Sequence, residues 1–296
     1  MSTAAILEPG RPVRRQRSSF WWLAWARYRR NKLALVSGII AIAILVIALL
    51  APLLARYGYA QQNLGEVLAG PSLAHPLGTD ELGRDMLSRM IYGARTTMTV
   101  ALLVPTIGTL IGLPIGVLAG WFGGIIDFIT LRLVEVFTMV PPLLLALLLI
   151  ALYGSGLWHV ILFLGISGWI GYARIARAQY LALRDREFVV AARALAVPNW
   201  RIMFEHILPN AAGPMIVFFI QQIPATIFAE AGYSFLGLGV QDPLADWGKM
   251  ITDGEQYLQV SPLVALLPMI GIALATLSYS FFGDGLRDAL DPSMSR

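Results

Sequence analysis

The run LALVSGIIAIAILVIALLAPLLA, residues 33–55, has 23 residues and no charged side chain. A helix of about 20 apolar residues crosses the roughly 30 Å hydrocarbon core of a bilayer, whereas the apolar part of a signal peptide has about 7 to 15 residues. The run therefore predicts a retained membrane-spanning helix, which ends near Arg56.

The composition of the whole chain is that of a membrane protein. Of its 296 residues, 57% are hydrophobic and 14% are charged, where soluble domains carry about 25% charged residues. The chain has no cysteine, which excludes disulfides, thiolate metal ligands and a cysteine nucleophile.

A basic and aromatic tail, residues 1–32, precedes the first apolar run. It holds eight Arg and Lys residues, with Trp21, Trp22 and Trp25 among them. Nucleic acid also attracts basic and aromatic side chains, but a tail next to a membrane span favours anionic lipid headgroups. We therefore predict contact with membrane lipid and none with nucleic acid.

Five further apolar runs complete a prediction of six membrane helices in an all-α, polytopic fold. The run at residues 125–153 contains Pro141 and Pro142, so a kink is predicted there. Short stretches with glycine, GWFGG and YGSG, predict tight turns between neighbouring spans. The five runs cover residues 98–121, 125–153, 157–178, 211–235 and 263–282.

Four glycines follow one face of the second span. Gly108, Gly112, Gly116 and Gly120 are spaced four residues apart. Small residues at this spacing allow another helix backbone to approach closely. Packing inside the subunit is the favoured interpretation, and direct lining of a pore is the alternative.

Positively charged residues predict the orientation of the spans, because cytoplasmic loops hold an excess of Lys and Arg. With the N-terminus in the cytoplasm, six spans return the C-terminus there, and 17 of the 22 basic residues are cytoplasmic. Residues 57–95 and 237–262 are then external, and residues 179–210 are cytoplasmic.

Few ionisable residues lie near or within the spans, and each is a functional candidate because charge in hydrocarbon is costly. Asp127 and Arg132 are expected at the cytoplasmic mouth, where snorkelling of the side chains is the alternative to a functional role. Glu135 follows Arg132 by three residues, so an ion pair is favoured over substrate contact. Glu230 borders the stretch AGYSFLGLG, and its role stays open between gate structure and substrate pathway. The full set of gate and pathway candidates is Glu135, Glu230, Tyr233, Phe235, Asp242, Asp246 and Trp247.

No enzyme motif is present in the sequence. The one Gly-Lys pair, Gly248-Lys249, has Pro243 where a phosphate-binding loop needs its first glycine. The three histidines are isolated, and there is no G-x-S-x-G. The sequence predicts no catalytic residue, no metal ligand and no cofactor bound by this chain.

The loop EFVVAARALAVPNWRIMFEHILPN, residues 187–210, is a long polar excursion in an apolar chain. Its helical spacing predicts two short amphipathic helices, with Pro198 between them. Either a membrane surface or a soluble partner would cover the apolar face of these helices. The apolar positions are Phe188, Ala192, Leu195, Trp200, Phe204, Ile207 and Leu208.

This loop resembles the cytoplasmic EAA loop of ABC importer permeases, whose helices couple to an ATPase subunit. The family pattern has a glutamate where this chain has Val190 and a glycine where it has Ala196. The missing glycine predicts a turn that needs no left-handed residue, with Pro198 shaping it instead. The resemblance assigns coupling to Ala191, Ala192, Ala196, Trp200, Arg201, Phe204, Glu205 and His206.

Two further stretches resemble the C-type permease subunit of dipeptide and oligopeptide ABC importers. They are HPLGTDELGRDMLSRMIYGARTTM, residues 75–98, and EAGYSFLGLGVQDPLADWG, residues 230–248. The resemblance implies a multi-pass protein of the bacterial cytoplasmic (inner) membrane that carries peptides. It also implies a homologous second permease, two ATPase domains that bind ATP and Mg, and an extracytoplasmic substrate-binding protein.

The apolar runs, the positive charges and the resemblance together divide the chain. We predict a cytoplasmic tail at 1–32, a first membrane helix at 33–56 and an external segment at 57–95. A permease core with the coupling loop then occupies 96–283, and a cytoplasmic C-terminus occupies 284–296.

Two other classes of function are alternatives. A secondary transporter driven by an ion gradient would need a dense acidic or histidine relay in mid-membrane, which the sequence lacks. An intramembrane enzyme is disfavoured by the missing catalytic sets.

Overall fold

The computed structural model describes residues 20–290, and every regular element among them is helical. The all-α prediction is therefore confirmed. Most of the predicted basic tail, residues 1–19, and the last residues, 291–296, lie outside the described part of the chain. The helices are α1 (Phe20–Tyr28), α2 (Lys32–Leu49), α3 (Ala51–Leu54), α4 (Met86–Phe122), α5 (Gly124–Met139), α6 (Pro142–Tyr153), α7 (Leu157–Ser167), α8 (Trp169–Leu183), α9 (Glu187–Ala194), α10 (Asn199–Arg201), α11 (Leu208–Phe235), α12 (Trp247–Glu255) and α13 (Leu263–Leu290), with a 3-10 turn at Leu64–Glu66 and a π-helical turn at Ile202–Ile207.

Six helical spans are present if the bent pair α5 and α6 counts as one span. The pair meets at 77°. Pro141 and Pro142 cause the predicted kink. Proline lacks a backbone N–H and therefore ends the preceding helix. It is accepted in the first turn of a helix, and Pro142 is the first residue of α6. The other five stretches that are long and apolar enough to cross a membrane are Lys32–Leu49, Met86–Phe122, Leu157–Leu183, Asn199–Phe235 and Leu263–Leu290.

The second span begins earlier than its apolar run. Asp85 caps α4, and its side chain accepts a hydrogen bond from the Ser88 N–H at 2.8 Å. The first three turns of α4 carry Arg89 and Arg95. Because these side chains are charged, hydropathy assigns this part of the helix to the predicted segment 57–95. The helix thus continues beyond the apolar residues at the end where that segment joins it.

The glycine stripe packs α4 directly against α8. A β-carbon on Gly112 would lie 2.2 Å from the Trp169 carbonyl oxygen, and one on Gly116 would lie 2.2 Å from that of Ala173. The other two stripe glycines face the same helix. Intramolecular packing, the favoured interpretation of the stripe, is confirmed.

Two large apolar clusters lie toward opposite ends of α4. The first contains Met86 and Ala101 of α4 together with residues of α2, α11, α12 and α13. The second contains Val117 and Trp121 of α4 and joins them to α8, α9 and the start of α11. The candidate functional residues group around these two clusters.

Candidate coupling surface and pathway residues

The residues 187–207, here called the coupling segment, fold as two short helical pieces, as predicted. α9 ends after Ala194, and Pro198 stands directly before α10. The second piece continues through the π-helical turn into α11 without a break.

One side of the coupling segment is fixed to the bundle. Val189, Ile202 and Ile207 are fully buried, in the cluster that contains Trp121 of α4. The Tyr180 hydroxyl of α8 donates a hydrogen bond to the Met203 carbonyl at 2.9 Å. These contacts attach the coupling segment to α4 and α8.

The other side of the coupling segment is uncovered and apolar. Trp200 is 59% exposed and Phe204 is 54% exposed, and Phe188 and Leu195 are exposed beside them. These side chains occupy the face that a partner would contact.

The structure divides the predicted apolar positions between these two sides. Ala192 and Ile207 are buried against the bundle and are not part of the exposed face. Of the residues assigned to coupling, His206 is half-buried, and the exposed ones are Ala191, Ala196, Trp200, Arg201, Phe204 and Glu205. Arg201 and Glu205 pair at 3.1 Å, both about half exposed.

The expectation for Ala196 is wrong. Its φ is 53°, so the turn does use the left-handed conformation. The Ala196 N–H bonds the Arg193 carbonyl at 2.9 Å, and the Val197 N–H bonds the Ala192 carbonyl at 3.1 Å. This pair of bonds is a Schellman motif, in which the left-handed position is usually glycine. An alanine occupies the position that the family pattern gives to glycine.

At the other cluster, two carboxyl groups of the pathway candidates lie inside the subunit. Glu230 is 1% exposed and Asp246 is 0% exposed. The Ser234 hydroxyl donates to Glu230 at 2.8 Å, and the Thr97 hydroxyl donates to Asp246 at 3.1 Å. Burial raises the pKa of Asp246.

Asp246 and Trp247 fix the helix α12 to the bundle. Asp246 caps α12 by accepting the Lys249 N–H at 3.0 Å. The buried Trp247 donates its indole N–H to the Met90 carbonyl at 3.0 Å. Both side chains therefore position this loop and face away from solvent. Tyr233 is half-buried, and Phe235 is 47% exposed.

Asp242 joins the loop before α12 to the segment before α4. Its carboxylate lies 3.3 Å from the Arg84 guanidinium and 3.2 Å from the Lys249 ammonium. Burial opposes ionisation of Asp242, but Lys249 and Arg84 hold its pKa below the usual value. Sequence reasoning missed Arg84, which is 2% exposed and also pairs with Asp80 and Glu81.

Glu135 forms the predicted ion pair with Arg132, at 2.6 Å. Their side chains are 51% and 62% exposed, respectively. A second pair, Asp127 with Arg177, links α5 to α8 and is much less exposed.

Residues 20–290 contain no group of three or more His, Asp or Glu side chains placed to hold a metal ion. The arrangement is that of a polytopic membrane protein with a rigid surface segment at one end and an ionic, capped loop at the other.

Residues 112–296 match the family described as binding-protein-dependent transport system inner membrane component. Residues 19–71 match the N-terminal TM domain of oligopeptide transport permease C. The chain belongs to this family of transport permeases, and it is accordingly a multi-pass membrane protein.

Curated relatives align with almost the whole chain. A dipeptide transport system permease protein of Alkalihalophilus pseudofirmus is 39% identical over 93% of this chain and 90% of its own. An oligopeptide transport system permease protein of Bacillus subtilis is 40% identical over 94% and 91%. A glutathione transport system permease protein of Pectobacterium atrosepticum is 36% identical over 96% and 95%.

The fold is similar to that of a solved importer structure. An inward-facing structure of the MetNI methionine ABC transporter matches with a TM-score of 0.56 and 20% identity, over 70% of this chain and 98% of that one. At this identity the likeness is one of fold.

Proposed function

We propose that this chain is one of two permease subunits of an ABC importer for dipeptides and oligopeptides. The names of its curated relatives support this substrate class. In the proposal, a homologous permease completes the path, two ATPase domains bind ATP and Mg, and an external binding protein delivers peptide. The chain lies in the bacterial inner membrane with both termini in the cytoplasm, and itself performs no catalysis.

The observation that carries the proposal is the two-sided coupling segment. Apolar helix faces that stay uncovered in a subunit are typical of protein contact sites. In the proposal, Phe188, Leu195, Trp200 and Phe204 dock on the ATPase. The buried side of the segment then transmits ATPase closure through Tyr180 to α8 and α4, which changes access to the path.

The external candidates take two roles in the proposal. Asp246 and Trp247 hold α12 in place, because they bond the Lys249 N–H and the Met90 carbonyl. The buried Glu230 contributes to α11 itself, where it accepts the Ser234 hydroxyl of the same helix. Glu135, Tyr233 and Phe235 face the path, and Asp242 contributes to the outer surface that receives the binding protein.

The substitution Phe204→Ala tests coupling. Truncating an aromatic anchor in an interface costs about 2 kcal/mol or more, so the joint should loosen. We expect an assembled complex with lower peptide-stimulated ATP hydrolysis and lower uptake, measured in reconstituted vesicles with all subunits and binding protein present.

Phe228→Ala is the matched control. Phe228 is 72% exposed on α11, and at 1.5 Å per residue it lies about 36 Å along the helix from Phe204. It therefore cannot touch a partner docked at the coupling segment, and its variant should couple normally. Parental transport by Phe204→Ala would instead favour a helix that lies on the membrane surface.

The energy source separates this proposal from a gradient-driven transporter. We expect uptake to survive ionophores and to stop when ATP is depleted. Uptake that stops with ionophores while ATP remains would support the secondary transporter.

A further inference from the structure

The helix α5 is bound to the rest of the subunit along one narrow stripe. Its buried residues are Thr130 and Val134. At about 100° per residue, Arg132 points roughly 160° away from Val134, and Glu135 roughly 100° away. Phe128 and Met139 share this outward face and are exposed.

The Arg132–Glu135 pair lies well inside the span. At 1.5 Å per residue, Arg132 is about 12 Å and Glu135 about 16 Å along α5 from Gly124, while the hydrocarbon core is roughly 30 Å thick. Val134, between them in sequence, packs in a cluster with Trp169, which follows the break between α7 and α8. The pair therefore lies within the candidate span formed by α5 and α6, nearer to its Gly124 end.

A half-exposed ion pair at this depth does not fit a lipid-facing surface. Ionisable residues in membrane spans face the bundle interior or a water-filled cavity, because hydrocarbon cannot solvate them. Full burial against a second permease would remove both charges from water, which costs free energy unless that subunit supplies new partners. In a water-filled path both charges stay solvated, and the ion pair can keep its observed geometry.

The geometry of the pair leaves bonding capacity on both partners. Arg132 donates one N–H to Glu135 and lies over the Phe128 ring, 5.1 Å from its centroid. A guanidinium has five N–H donors, and a carboxylate accepts at about four sites. The contrasting pair Asp127–Arg177 uses two bonds and is only 20% and 26% exposed, so it serves as a link between helices.

We propose that Arg132 and Glu135 line the translocation path and bind the charged ends of a passing peptide. The peptide carboxylate bonds Arg132 and its ammonium bonds Glu135, so a zwitterionic pair receives a zwitterionic substrate. This inference rests on the proposed peptide-import function. Beyond the bend of 77° after Met139, α6 continues the span with exposed apolar residues, which in the proposal contact peptide side chains.

The test uses Arg132→Gln and Glu135→Gln in the complete reconstituted complex. Initial uptake is measured for one dipeptide, for its C-terminal amide and for its N-acetyl form. For each substrate, the uptake by the variant complex is divided by the uptake by the parental complex. The ratio cancels the preference of the binding protein, provided that the parental complex carries all three.

Arg132→Gln should reduce uptake of the free dipeptide about tenfold, as expected for a lost bond to a charged group, and spare the amide. Glu135→Gln should reduce uptake of the free dipeptide and spare the N-acetyl form. Arg287→Gln, which removes an exposed charge in the last turn of α13, should leave all three ratios near one.

Equal loss for all three substrates, or no loss, would overturn the inference, because an ion pair that only stabilises α5 or contacts the second permease cannot distinguish peptide termini. If the Arg132→Gln complex does not assemble, Arg132→Lys is used instead, because it keeps the positive charge but lacks the planar guanidinium. Uptake of the free dipeptide should then fall by less, and uptake of the amide should again be spared. A parental complex that carries no peptide would contradict the proposed function instead.

Discussion

At the scale of single residues, the strained position in the coupling segment is Ala196. A left-handed residue with a β-carbon costs roughly 1 kcal/mol more than glycine. Ala196→Gly should therefore raise the melting temperature of the purified complex, and it preserves the Schellman bonds. Thermal unfolding followed by the loss of the monodisperse complex measures this.

Ala194→Gly provides the opposing control. Ala194 is the last residue of α9, and glycine in a helix costs about 1 kcal/mol relative to alanine. The two variants should shift the melting temperature in opposite directions. A decrease for both would mean that the conformation at Ala196 is not strained.

The acids of the loop before α12 show what a sequence leaves open at this scale. The pattern identifies Asp242 and Asp246 as candidates but does not separate them, since burial depends on tertiary contacts. Asp246 is enclosed and caps a helix, whereas Asp242 lies nearer the surface between two cations. The structure distinguishes Asp246, which stands at the N-cap of α12 and accepts the Lys249 N–H.

At the scale of elements, the glycine stripe brings the backbones of α4 and α8 close together. Gly116→Ala should destabilise the subunit by about 1 to 3 kcal/mol, because the new methyl group meets the Ala173 backbone, which cannot rotate away. We expect a lower melting temperature and a lower yield of assembled complex from membranes.

Gly232→Ala is the matched control for this contact. Gly232 lies inside α11, and a β-carbon there meets no atom within 4 Å. Its variant should keep the parental melting temperature or exceed it. Equal behaviour of the two alanine variants would show that the α4–α8 contact can relax.

The coupling segment shows why elements are easier to predict than their orientation. Pro198 and the apolar spacing predict both helical pieces, and the structure has both. A period of 3.6 residues, however, aligns Ile207 with Trp200 and Phe204. The π-helical turn widens the spacing, so that Ile202 and Ile207, five residues apart, are buried together. Because apolar residues occur on both faces of the segment, the sequence does not reveal this wider spacing.

At the scale of the whole molecule, α4 connects the two clusters. It meets the coupling segment through Trp121, and it meets α12 through Thr97 and Met90. The six spans and their order follow from hydropathy alone. The connection does not, because it depends on which faces of the helices meet, and the glycine stripe is the one sequence signal for such a contact.

The orientation of the whole molecule gives the last prediction. The positive-inside rule places the coupling segment in the cytoplasm and the loop after α12 outside. Because the chain has no cysteine, single cysteines report without background. Asn199, Gln62 and Gln259 are exposed and serve as reporters, whereas the buried Asp246 would not react on either side. A membrane-impermeant maleimide should label Gln62→Cys and Gln259→Cys in cells with an intact inner membrane. It should label Asn199→Cys only after permeabilisation. Labelling of Asn199→Cys in intact cells, with protection of the other two, would invert the topology and remove the coupling segment from the side where ATP is present.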